Sequence, residues 1–250
     1  MDLLVVSLAD RPDLAHHLWD LATVWPRFMQ QDPVGDLFFA RATTTFAAYS
    51  LLAFDADDLE HPVARSCSVP FAFGGETGRD ELPDDGWDGV IRWAWLDELE
   101  DREPTHVSAL EVAIRPDLRG TGLASVLLEH KRANVARLGF HDLVAPVRPN
   151  RKTDEPHTPM AVYAARTRED GLPTDPWLRL HVRAGATIEK VCPRAMTTSG
   201  SLAEWRDWTG EPFDTSGEVV VPFALNPVHV SLEHDHAVYV EPGVWVHHRL

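Results

Sequence analysis

One segment between two predicted strands constrains this chain more than any other. "HVSALEVAI" (106–114) is apolar enough for a buried strand, and "TGLASVLLEHKRANVARLG" (121–139) has the leucine spacing of an amphipathic helix. Gly139 followed by Phe140 is typical of a left-handed helix end that carries a hydrophobic contact. The next stretch, "DLVAPV" (142–147), predicts a second strand. The segment is therefore a β–loop–α–β unit whose two strands run parallel.

Glycines at the start of this helix predict an anion site. Gly120 and Gly122 leave the first backbone N–H groups of the helix uncovered, and those groups have no partner within the helix. Amides in this position bind phosphate groups. A Walker loop is excluded, because Leu123 and Ala124 follow Gly122 in place of lysine and a hydroxyl residue. A dinucleotide fingerprint fits poorly, because "GTGLAS" lacks the third glycine and "RPDLR" separates it from the strand.

The motif and its setting resemble the acyl-CoA-binding signature of the GNAT superfamily of acyltransferases. That signature reads R/Q-x-x-G-x-G/A and follows an apolar strand. Arg119, Gly122 and Ala124 match it within "IRPDLRGTGLA", and Pro116 stands where the family often has proline. The strand, the loop length, the helix and its glycine end make the short motif specific.

The resemblance implies an α/β (α+β) fold in which helices flank a mixed central sheet. It covers residues 1–197, and residues 198–250 are then a helix followed by a C-terminal β-hairpin extension. Residues 74–105 form an insertion, which is either a lid over a site or a surface loop with one packed, tryptophan-rich helix. We expect residues 1–250 to form a single domain of this type.

The resemblance also implies how the co-substrate binds, which is acetyl-CoA or another acyl-CoA. Backbone amides at the helix start would hold its pyrophosphate. Its pantetheine arm would lie between two splayed strands, where a main-chain N–H near Ile114 would stabilise the oxyanion. Asn150 stands where the family often has an asparagine that touches the cofactor, although a loop asparagine that serves only a turn is an equal alternative. The expected cofactor-binding residues are Val112, Ala113, Ile114, Arg119, Gly120, Thr121, Gly122, Leu123, Ala124, Ser125 and Asn150.

Three residues are candidates for acid–base catalysis. Glu111, an acidic residue in an otherwise apolar strand, is the candidate base; its alternatives are a solvent-facing carboxylate or a partner of an arginine. His181 in "HVRAGA" is the candidate acid, because it stands where many relatives have a tyrosine that acts as the general acid, in a Y-x-K-x-G-F pattern. The sequence departs from that pattern here, and the alternative is a histidine of the core or the surface. Tyr163 on the preceding predicted helix is the fallback acid.

Composition narrows the partners. The net charge of −16 argues against nucleic acid or an anionic membrane surface, and it favours a small cationic amine, although an acidic surface is also a solubility device. Two isolated cysteines and a start without a basic region predict a cytoplasmic protein. "EHDH" (233–236) and "HH" (247–248) do not complete a known ligand spacing, so no metal is expected.

These observations predict an acyl-CoA-dependent N-acyltransferase. The acyl group, most simply acetyl, would pass to an amine by direct attack, because no serine or cysteine nucleophile constellation is apparent in the sequence. The alternative is a non-catalytic acyl-CoA sensor or scaffold, since the usual tyrosine is absent. The sequence leaves the identity of the acceptor open, and it is compatible with a homodimer.

Overall fold

A nine-stranded sheet runs through the molecule in a computed structural model that describes residues 2–250. The strands are β1 (Leu3–Ser7), β2 (Ser50–Asp55), β3 (Ala64–Phe71), β4 (His106–Ile114), β5 (Asp142–Val147), β6 (Thr187–Gly200), β7 (Gly217–Val219), β8 (Val228–Ser231) and β9 (His236–Arg249). Their order is β1-β2-β3-β4-β5-β9-β8-β7, and β6 pairs with β9. Among these described strands, only β4 and β5 pair in parallel. The predicted mixed sheet is confirmed.

Six α-helices flank this sheet in the described part of the chain. They are α1 (Gly35–Phe39), α2 (Gly86–Leu99), α3 (Leu123–Arg137), α4 (Met160–Ala164), α5 (Pro176–Arg183) and α6 (Leu202–Thr209). The predicted β–loop–α–β unit is confirmed, since α3 connects the parallel strands β4 and β5. No helix among residues 2–250 combines the length and the apolar character needed to cross a membrane.

The spacing of Leu14, Leu18 and Leu21 predicts a helix that Asp10 caps, but the segment between β1 and β2 is less helical than this. Residues Pro12–Trp19 form a 3-10 helix rather than an α-helix. Asp10, a predicted helix cap, accepts a hydrogen bond from the Ser7 hydroxyl instead (2.6 Å). Prolines recur through this segment and remove backbone donors, which favours short turns over a long helix.

The C-terminal strand lies inside the sheet and not at its margin. Residues 244–249 of β9 pair with β5 on one side, while residues 237–247 pair with β6 on the other. The predicted C-terminal hairpin, β8 and β9, is therefore joined to the main sheet through β9. Without β9, the backbone groups along β5 would form an exposed edge, which is why the last strand belongs to the core of the fold.

The helix of the 74–105 insertion packs into the main core. Val90, Ile91 and Ala94 of α2 are buried in the same cluster as residues of β2 and β3. At its first residue, Gly86, α2 approaches β6 so closely that an added Cβ would lie 2.7 Å from the Cβ of Ala195. This contact fixes α2 against the sheet.

Gly86→Ala tests this close approach. Overpacking costs about 1–3 kcal/mol of unfolding free energy, and the positive φ of Gly86 (+37°) adds strain. Gly171→Ala is the control, because that glycine also has a positive φ (+75°) but faces open space. Denaturant unfolding should show the larger loss for Gly86→Ala; equal losses would argue against a tight contact between α2 and β6.

Candidate active site

The parallel strands β4 and β5 separate part-way along their length. They pair only at Val107–Leu143 and Ser108–Val144. A bulge between Cys67 and Ser68 in the register of β3 leaves Leu110 of β4 without a Cα partner. Bulges bend the strand that carries them. The result is a gap between the second halves of β4 and β5.

Backbone donors of β4 face this gap. Arg115 N–H donates to Val63 O, next to β3 (3.0 Å), so alternate amides on its strand point the opposite way. By that alternation the amides of Val112 and Ile114 point toward β5, to which they have no pairing. Ala113, between them, is fully buried. An extended acyl chain in the gap would meet two donors of the same strand.

The start of α3 presents a second set of donors. Gly120 (φ +80°) and Gly122 (φ +90°) both have left-handed backbones, and a Cβ built on either meets no atom within 4 Å. The amides of residues 120–124 donate to no acceptor among residues 2–250. Leu123 is buried and anchors the first turn, while Arg119 and Ser125 are exposed. These features fit a phosphate-bearing ligand.

A cleft of about 350 Å³ lies between α3 and α5. Ser125 and Leu128 line it from α3, and Arg179 and Arg183 from α5. Arg179 is held by the carbonyl groups of Pro173 and Thr174, whereas Arg183 has no acidic partner in the described chain. The cleft therefore combines the exposed start of α3 with two arginines and one acidic residue, Glu129.

Lys131, on the inner side of α3, is almost fully buried (2% exposed). Its Nζ donates to Cys67 O (2.9 Å) and Glu111 O (3.0 Å), two residues that pair with each other next to the bulge. Burial lowers the pKa of Lys131 to about 8. The lysine therefore ties α3 to the bulged part of β4. Leu123, Leu127 and Lys131 follow one another at four-residue spacing on one helix face, which is the local signal that this lysine is buried.

Glu111 lies opposite α3, in a buried ion pair with Arg65. Arg65 Nε is 2.5 Å from Glu111 Oε1, and Trp25 Nε1 donates to Oε2 (2.8 Å). The other end of the guanidinium donates to Leu18 O (2.7 Å). The structure thus realises the arginine-paired alternative. The role of Glu111 as a base stays a prediction, and it now requires an incoming amine to replace one of these partners.

His181 is buried (4% exposed) in the last turn of α5. Its Nδ1 lies 2.9 Å from Nε2 of His248 in β9. Burial, with His248 next in effect, lowers the pKa of His181 to about 3, and burial lowers that of His248 to about 4. Both rings are therefore neutral near pH 7. A neutral His181 can donate a hydrogen bond but is not a cationic acid.

Tyr163, the fallback acid, is held by another interaction. Its hydroxyl donates to Asp175 Oδ2 (2.9 Å), and the other oxygen of Asp175 caps the start of α5 through the amides of Trp177 and Leu178. Burial and the Asp175 carboxylate raise the pKa of Tyr163 well above its usual range. Because the hydroxyl proton of Tyr163 already forms a hydrogen bond to Asp175, a structural role is favoured.

Asn150 lies exposed in the turn after β5, and its side chain makes no hydrogen bond to the described residues. Its predicted contact with the cofactor stays a prediction.

The histidines of the last strands contact other side chains: His247 Nε2 lies 2.7 Å from Asp142 Oδ1. Among residues 2–250 no three His, Cys, Asp or Glu side chains are grouped to hold a metal ion.

The sequence pattern also did not indicate two buried carboxylates at the starts of α1 and α2. Asp32 precedes α1 and Asp88 lies in the first turn of α2; both are nearly inaccessible. Asp32 Oδ2 and Asp88 Oδ1 have no hydrogen-bond donor in the described chain. Burial and contact with Asp32 raise the pKa of Asp88 to about 9, so the pair shares a proton at pH 7. Beside Asp88, Trp87 Nε1 donates to Leu110 O at the bulge (3.0 Å).

Comparison with known proteins finds a relative that matches nearly the whole chain. The chain is 32% identical over 272 residues to the arginine N-acetyltransferase avaD of Aspergillus versicolor, across 97% of this chain and 92% of the relative. No family model matches the chain.

Two solved structures share the fold. The loading GNATL domain of CurA from Lyngbya majuscula superposes with a TM-score of 0.62 at 22% identity, over 99% of this chain and 96% of that one. The GNAT-like decarboxylase GphF in complex with isobutyryl-CoA superposes with a TM-score of 0.56 at 17% identity, over 100% and 99%.

The family resemblance inferred from "IRPDLRGTGLA" is confirmed, and no comparison favours a non-catalytic sensor. The catalytic activity of the protein is acyl transfer to an amine, with acyl-CoA as co-substrate. The chain belongs to the GNAT superfamily of acyl-CoA-dependent N-acyltransferases.

Proposed function

We propose that this protein transfers an acetyl group from acetyl-CoA to the amine of arginine or of a closely similar guanidinium compound. The observation that carries the proposal is the end-to-end similarity to an arginine N-acetyltransferase. The buried carboxylates and the net charge of −16 support a cationic acceptor. The test is to incubate the protein with acetyl-CoA and a panel of amines and to measure the free thiol released. Arginine should be among the best acceptors. Absence of thiol release with every guanidinium compound would exclude these compounds as acceptors.

The donor side of the proposed site is built from main-chain groups. The amides of residues 120–124 and Arg183 would hold the pyrophosphate, and the gap between β4 and β5 would take the pantetheine arm. The amides of Val112 and Ile114 would donate to the thioester carbonyl and stabilise the oxyanion. Since main-chain donors depend on backbone position, Lys131 contributes by holding β4 at Glu111.

The transfer is a direct displacement in this proposal. The unprotonated amine nitrogen attacks the thioester carbonyl carbon, a C–N bond forms, and the C–S bond breaks to release the thiol. The nitrogen loses one proton and the sulfur gains one, so no further reactant is consumed. Glu111, on the face of β4 opposite α3, accepts the proton of the amine once the amine has displaced Trp25 from its carboxylate.

Gly122→Ala tests the phosphate site, with Gly139→Ala as a control at the other end of the same helix. Both glycines have nearly equal positive φ (+90° and +93°) and open space around them, so both substitutions strain the backbone similarly. Only Gly122→Ala should weaken acetyl-CoA binding, by about tenfold or ~1.4 kcal/mol. Titration of the thermal shift measures it. Equal affinities in the two variants would place the phosphates elsewhere.

Glu111→Gln tests the role of Glu111 as the base, and it also measures how much the ion pair with Arg65 contributes to stability. The substitution leaves the buried charge of Arg65 without its counter-charge, which costs about 3–5 kcal/mol of unfolding free energy. Denaturant unfolding measures that loss, with the exposed Glu169→Gln as the neutral reference. At a temperature where Glu111→Gln stays folded, kcat should fall at neutral pH and recover partly at high pH, where the amine is unprotonated. An unchanged kcat would remove Glu111 as the base.

Asp88→Asn tests recognition of the cationic end of the acceptor. Arginine and norleucine have the same α-amine, but only arginine has a guanidinium. We expect the preference of the wild-type protein for arginine, measured as a ratio of kcat/KM, to fall about tenfold or more in Asp88→Asn. A bound guanidinium favours the ionised form of Asp88 despite its raised pKa, and the charge-assisted hydrogen bond formed in this way is lost in the amide. The exposed Asp36→Asn should keep the preference. A preserved preference in Asp88→Asn would separate the carboxylate pair from the acceptor site.

A further inference from the structure

A buried chain of side chains connects α3, the C-terminal strand and α5 beneath the point where β4 and β5 separate. His248 of β9 pairs in register with Leu143, which is one of only two residues of β5 that pair with β4. His248 is 1% exposed, and its Nε2 is 2.9 Å from Nδ1 of His181. Arg132 of α3 lies near enough to His248 to lower its pKa further. The other charged or titratable neighbours are Lys131 and His247.

The hydrogen bond between the two rings has two alternative forms. Both histidines are neutral, so one nitrogen of the pair must donate and the other must accept. If His181 Nδ1 donated, the proton of His248 would reside on Nδ1, an atom that is buried without any partner in the described chain. A buried N–H without an acceptor is costly, and here it would also face the positive charges of Lys131 and Arg132.

The reverse form avoids a buried N–H group without an acceptor. When His248 Nε2 donates to His181, Nδ1 of His248 is a bare lone pair, which two neighbouring cations stabilise. Nε of Arg132 is likewise buried without a partner in the described chain. The second proton of the pair then resides on Nε2 of His181. That atom has no hydrogen-bond partner among the described residues, and unlike Nδ1 of His248 it is not sealed from solvent.

We infer that Arg132 and His248 are positioning residues that fix His181 as the Nε2–H tautomer, so that His181 donates a hydrogen bond to the sulfur leaving from acyl-CoA. The inference rests on the proposed function for its chemistry. A neutral imidazole N–H is a weaker acid than a thiol, so His181 stabilises the thiolate without losing its own proton. The sulfur then takes a proton from solvent, and the histidine pair is unchanged after turnover.

His248→Phe and His248→Gln separate positioning from packing. The amide nitrogen of glutamine can occupy the place of Nε2 and donate to His181, whereas phenylalanine cannot. We expect kcat to fall about ten- to hundredfold in His248→Phe and to be largely restored in His248→Gln, with the Kd for acetyl-CoA unchanged in both. His236→Phe, at the exposed start of the same strand, should match the wild-type protein. Equal kcat values in the phenylalanine and glutamine variants would overturn the inference.

Nitrogen-15 chemical shifts of labelled histidine provide a readout that does not depend on turnover. The signals of His181 are identified by their loss in His181→Phe. They should show a protonated Nε2 and a bare Nδ1 in the wild-type protein, and a shift toward the other tautomer in Arg132→Met. Protonation at Nδ1 in the wild-type protein would overturn the inference even if amine acetylation is established. Absence of any transfer, with the predicted tautomer present, would instead contradict the proposed function.

Discussion

The separation of β4 from β5 is the constraint on which the rest of this structure depends. A parallel pair normally satisfies its backbone groups along its whole length, yet here the pairing stops after Ser108 and Val144. The amides left open beyond that point need another partner, and an extended thioester arm can supply it. In the proposed binding mode, the co-substrate bonds to the same groups that would otherwise complete the sheet.

Buried charged groups lie next to the gap, and a buried charge is costly unless it is paired. Lys131 fixes the bulge from the side of α3, and the Arg65–Glu111 pair fixes it from the opposite side. Each of these charged groups contacts a main-chain carbonyl or another charge. The bulge is thus held on both faces of the sheet, which explains how a strand with an unpaired edge can hold its donors in place.

The sequence predicts the elements of this site better than its contacts. The bounds of β4 and β5 agree with the expected 106–114 and 142–147, because local patterns of apolar residues and glycines determine them. The partners of Glu111 are not local: Trp25 and Arg65 lie on other elements, brought together by the folded sheet. His248 was noted only as a metal candidate, since nothing near it in sequence indicates that β9 would place it against His181. A lysine on the leucine face of α3 was the one local signal of a buried charge.

The position of β9 has a consequence for how the protein is made. β5 is synthesised long before the strand that covers its edge, since the chain must extend from Val147 to His236 before β9 begins. Until then the nascent sheet ends in an unpaired strand that other chains could join. Much of the chain therefore emerges from the ribosome before the central sheet can be completed. The sheet is completed only after β9 has been synthesised.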